Sequence, residues 1–114
     1  MSLHENPSAP QAAENPRQTE YRLFSEITRG LMAAGAGDRA SAEFKGAIER
    51  NRALWVALRT DLESEANWLA PDLKAKLISL AVWVERHSGL VLKSEADVGP
   101  MIAVNRAIME GLST

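Results

Sequence analysis

The sequence predicts an all-α fold: a single compact domain of about four helices, packed as a bundle or an orthogonal array, with a flexible N-terminal tail. Three observations carry this expectation. Beyond residue 15, apolar residues recur at offsets of three, four and seven. The dipeptide Asn15-Pro16 and later Pro71 stand where helices start well. The 114 residues, 46% of them hydrophobic, suffice for one modest core and not for two.

Residues 1–14 read as the tail, with residues 15–114 forming the helical domain. The tail's Pro7, Pro10 and Gln11 belong to a polar, proline-containing stretch that buries little and orders only on a partner. It lacks the basic start and apolar stretch of a secretory signal. The first helix should begin at Asn15-Pro16, with Asn15 as cap and Gln18 closing a capping box. It runs through Leu23, Phe24, Ile27 and Leu31 to about Ala34, where Gly35-Ala36-Gly37 ends the pattern.

Asp38 is the expected cap of a second helix carrying Phe44, Ala47, Ile48, Leu54, Trp55, Leu58 and Leu62. The pattern breaks over Glu63–Ala70, and Pro71 opens a third helix with Leu73, Leu77, Leu80, Val84 and Val91. Gly89 offers a stop, but the stripe continues past it, so the helix is expected to reach about Lys93. The run Leu77–Val84 would also suit a buried strand, yet a lone strand among helices has no pairing partner. It is far too short to cross a bilayer. Asp97 is the expected cap of a fourth helix with Val98, Met101, Ile102, Ile108, Met109 and Leu112 on one face.

Thirteen Lys and Arg against 15 Asp and Glu give a net charge of -2, so no general electrostatic attraction favours nucleic acid or an anionic membrane. The basic residues of the second helix, Lys45, Arg50, Arg52 and Arg59, are interleaved with acids and read as a solvated face. The absence of cysteine removes disulfides and thiol chemistry and suits a reducing cytoplasm. His4 lies in the tail and His87 near the end of the third helix, where it flanks the core. No metal-ligand spacing and no phosphate loop occurs, and Asp61, Glu63 and Glu65 read as a solvated acidic turn. No catalytic residues, metal site or cofactor are expected.

Two features stand out. Asn51 and Asn105 interrupt apolar stripes, where an unpaired amide is costly, and a buried hydrogen-bonded pair setting the register of the second and fourth helices is the expected solution. Each sits in a matching pattern, Ile48…Asn51-Arg52-Ala53-Leu54 and Ile102…Asn105-Arg106-Ala107-Ile108, with the arginines turned to solvent. On the third helix, Ile78 and Val82 project away from the main stripe and Trp83 to a flank, which makes these three the candidate partner-binding residues. Trp68-Leu69 is expected to plug the end of the domain.

The segments Asn15-Pro16-Arg17 with Glu20-Tyr21, Asn51-Arg52-Ala53-Leu54-Trp55, the stretch from Leu69 to Leu80, and Ile102–Ile108 with Gly111-Leu112 together resemble the FlaF family of bacterial flagellar biosynthesis regulators, over roughly Asn15–Leu112. The resemblance implies a non-enzymatic positive regulator of filament assembly that promotes flagellin synthesis and export. A chaperone-like protein binding flagellin is one form of this. A post-transcriptional regulator acting on flagellin messenger RNA, or through the partner regulator FlbT, is the other.

Overall fold

The computed structural model describes Leu3 and residues 15–113. Four helices follow in order, α1 (Pro16–Gly35), α2 (Ala42–Glu63), α3 (Pro71–Leu92) and α4 (Gly99–Ser113), and no strand occurs among the described residues. The start of α1 is the expected one. Asn15 Oδ1 accepts the Gln18 N–H at 2.9 Å while Gln18 Oε1 accepts the Asn15 N–H at 3.3 Å, and Pro16 follows at a position that has no intrahelical donor to lose.

The other two expected caps are corrected. The Asp38 carboxylate accepts the N–H of Ala40 at 2.9 Å, closing a turn ahead of the helix, and Ser41 Oγ caps α2 by accepting the Phe44 N–H at 3.1 Å. Asp serves a turn as readily as a cap, and here the turn takes it. Asp97 likewise precedes its helix. The Val98 carbonyl receives the N–H groups of Met101 and Ile102, whereas the Asp97 carboxylate lies 3.5 Å from Arg39. Helix α3 does run through Gly89. It ends at Leu92 in a nested pair of bonds, Glu95 N–H to the Leu90 carbonyl at 2.8 Å and Ser94 N–H to the Val91 carbonyl at 3.0 Å, with Ser94 in the left-handed conformation at φ 61°.

Every helix buries a stripe with steps of four and three residues, alternating along α2, α3 and α4. On α2 it runs Phe44, Ile48, Asn51, Trp55, Leu58, Leu62; on α3 Leu77, Ala81, Val84, Ser88, Val91; on α4 Met101, Asn105, Ile108, Leu112; on α1 Glu20, Phe24, Thr28, Leu31. This is the spacing that keeps one seam facing neighbouring helices. Helix α2 packs on α1 and α3, and α1 packs on α4, in a body of 45 × 28 × 21 Å. The stripe corrects the apolar faces read from the sequence. Leu23 is 42% exposed, Leu80 is only partly buried, and the small residues Ala81 and Ser88 occupy the seam of α3.

Loops clasp both ends of the body. At one end Arg39 donates to the carbonyls of Val91 (3.2 Å) and Ala96 (2.9 Å) and lies over the Phe44 ring. There α1 approaches the α3–α4 loop so closely that a Cβ on Gly35 would meet Val98 Cγ1 at 2.9 Å. Along the side, Arg59 of α2 makes a two-pronged contact with Glu85 of α3 at 2.6 and 3.1 Å, and also reaches Glu63 at 2.9 Å. The hydrogen bond and charge of Glu85 hold the Arg59 pKa above its ordinary value, so the guanidinium stays charged.

Candidate interaction surfaces

The interior holds a string of polar contacts that touches α2, α3 and α4. The indole Nε1 of Trp55 has only a proton to give and donates to Asn105 Oδ1 at 2.9 Å. That turns Asn105 Nδ2 toward Asn51 Oδ1, at 2.7 Å, and leaves Asn51 Nδ2 facing Met101 Sδ at 3.8 Å. Ser88 Oγ lies 3.3 Å from the same sulfur and donates to the Val84 carbonyl at 2.7 Å. Phe24 of α1 meets the Trp55 ring edge to face, with centroids 5.7 Å apart. The two asparagines at matching positions of the similar α2 and α4 patterns therefore meet each other, while Arg52 and Arg106 are exposed. Thr28 Oγ1, also buried, has no hydrogen-bond partner among the described residues.

The three tryptophans have different surroundings. Trp55 is fully buried, Trp83 is 37% exposed and Trp68 is 65% exposed. Of the expected plug Trp68-Leu69, only Leu69 enters the core; the tryptophan faces outward, because the loop turns one of two consecutive side chains in and the other out. On α3, Val82 and Trp83 are exposed, whereas Ile78 is half-buried against the core. Trp83 stacks on the His87 ring at 4.6 Å, and His87 Nε2 lies 2.7 Å from the Asp97 carbonyl, which ties this face to the α3–α4 loop. Beside Trp83 lies a shallow, mainly apolar depression of about 490 Å³ lined by Ala75, Lys76, Ser79 and Leu80.

A second apolar surface had no counterpart in the sequence reading. Leu23, Ile27, Gly30, Ala53, Leu54 and Ala57 line a groove of about 550 Å³ between α1 and α2, with Glu26 and Arg50 also at its walls. Its small residues were the available signal, but small residues on a helix face also suit plain close packing. At the end of this groove sits Leu3, 1% exposed. Its N–H is shared between the two carboxylate oxygens of buried Glu20, both at 3.0 Å, and its carbonyl accepts from Asn67 Nδ2 at 3.0 Å. This departs from the expectation that the tail buries little; its other residues, His4 included, lie outside the described ones.

Asn67 is itself fixed by its loop: Nδ2 also donates to Asp61 at 2.9 Å, Oδ1 accepts the Leu69 N–H at 3.0 Å, and the Asn67 carbonyl accepts from Lys74 Nζ at 2.8 Å. Asp61 of the acidic turn thus takes part in organising that loop, and Glu63 pairs with Arg59. Among the described residues no group of three or more His, Asp or Glu is placed to hold a metal ion, and no helix is long and apolar enough to cross a membrane.

Fold and surfaces together define a small four-helix protein with a buried polar string and exposed apolar surfaces on α3 and between α1 and α2. The model of the family described as flagellar protein FlaF matches residues 5–112. The chain belongs to that family, and so is a flagellar protein. No curated protein and no solved structure matches it.

Proposed function

We propose that the protein is a non-enzymatic positive regulator of flagellum assembly, acting in the cytoplasm as a chaperone-like module that binds flagellin and so promotes its synthesis and export. The observation that carries this reading is the outer face of α3, where Val82 and Trp83 stand exposed beside an apolar depression. Large apolar side chains clustered on a surface mark places where another chain docks. A helix of unassembled flagellin laid along α3 would cover Val82 and Trp83 and reach Ile78 at the edge of the core. Binding the unassembled subunit and not the assembled one holds it in that state by mass action.

Titration calorimetry of the purified protein against monomeric flagellin, FlbT and the flagellin leader RNA tests the proposal. Saturable binding of flagellin is the expected result. Binding of FlbT or RNA without flagellin would overturn it and move the function to control of translation.

A further inference from the structure

The contacts of Leu3 make up a complete recognition site for one residue of an extended peptide. The Glu20 carboxylate takes the main-chain N–H, Asn67 supplies a donor to the main-chain carbonyl, and the side chain enters an apolar well. None of these contacts depends on Leu3 belonging to this chain. The well is also larger than its occupant: about 120 Å³ of cavity remains beside Leu3, walled by Leu23, Phe24, Leu54, Ala57 and Leu58. Leu23, Leu54 and Ala57 wall the open α1–α2 groove as well, so a segment seated in the well continues into that groove.

We propose that the Glu20–Asn67 clamp is a peptide-binding site for a bulky apolar residue in extended main chain. Leu3 latches it in cis, and a leucine-bearing extended segment of a partner protein displaces Leu3 and runs on along Leu23, Ile27 and Ala53. One apolar side chain shifts an equilibrium by on the order of 10- to 100-fold, the strength of a reversible latch and not of a permanent core element. A tethered ligand competes at an effective concentration of about a millimolar, so the partner segment must gain its advantage from contacts along the groove beyond the Leu3 well. The proposal is independent of flagellin binding on α3, since the site lies on α1, α2 and the loop before α3.

The probe is a peptide with the sequence of residues 2–11 of this chain, labelled at its C-terminus and followed by fluorescence polarisation against the full-length protein. It should bind the Leu3→Asp variant about tenfold or more tighter than the unsubstituted protein, whose own Leu3 competes. A peptide carrying Asp in place of the leucine should not bind, and Glu20→Ala added to Leu3→Asp should abolish binding. Hydrogen exchange on the unsubstituted protein is the second measurement: the Leu3 amide should exchange about tenfold or more faster than the amides of Ile48 and Trp55, by opening of the latch alone. Equal affinity for both proteins, no binding to a folded Leu3→Asp variant, or a Leu3 amide exchanging at the core rate would overturn the proposal. So would failure of Leu3→Asp to fold, which would make Leu3 part of the core.

Discussion

Trp55 and Trp83 lie on neighbouring helices and have opposite fates. The Trp55 ring is enclosed on every side, with Phe24 in a T-shaped contact and Asn105 at its one polar atom, whereas Trp83 lies against His87 with more than a third of its surface in solvent. The difference follows from phase. Trp55 falls on the four-three seam of α2; Trp83 is one residue short of Val84 on the seam of α3, which turns it by about 100°. An indole on the seam must have its N–H satisfied, and the asparagine pair does so; an indole beside the seam leaves the same group to water. The first arrangement ties α2 to α4 in the interior, and the second leaves apolar area at the surface.

The largest effect should come from the interior. Trp55→Ala removes the biggest buried side chain and strands Asn105 Oδ1, and is expected to cost about 3–5 kcal/mol in urea unfolding. Asn105→Ala leaves both the Trp55 N–H and Asn51 Oδ1 without their partner and should cost about 2–3 kcal/mol. A double-mutant cycle with Asn51→Ala should return a coupling of about 1 kcal/mol or more; additive effects would mean that the two amides do not act as a pair.

Thr28 sharpens the point from the other side. Because its buried hydroxyl has no partner among the described residues, Thr28→Val should stabilise the protein by about 1 kcal/mol, where an asparagine replaced by an apolar residue destabilises it. The smallest change in stability is expected outside. Val82→Asp should alter the unfolding free energy by no more than about 0.5 kcal/mol, while lowering flagellin affinity about tenfold or more by calorimetry. A large loss of stability would place Val82 with the core and break the contrast between the two faces.

The order and rough limits of the helices, the capping box at Asn15 and the passage of α3 through Gly89 were legible in the sequence, because capping and amphipathic period act over a few residues. The same local logic misassigned Asp38 and Asp97, since an aspartate can serve a turn or a distant arginine as well as a helix end. It also favours large residues over small ones, whereas in the fold Leu23 is exposed, Leu80 is only partly buried, and Ala81 and Ser88 are fully buried. Of the candidate surfaces, the α3 face was legible from residues out of phase with the stripe. The α1–α2 groove was not, because its floor of Gly30, Ala53 and Ala57 and its walls of Leu23, Ile27 and Leu54 meet only when the two helices pack.

By itself, then, the sequence determined that this is an all-α protein of four helices, where most of them begin, and that Asn51 and Asn105 need partners. Only the tertiary structure decided that Trp55 and Met101 complete the pair expected of these two asparagines, which of Trp68 and Leu69 turns inward, and that Leu3 returns from the far end of the chain to Glu20 and Asn67. Local propensity fixes the phase of a side chain around its own helix. Contacts between residues 54 or 64 positions apart depend on how the helices pack, and no short-range signal carries that information.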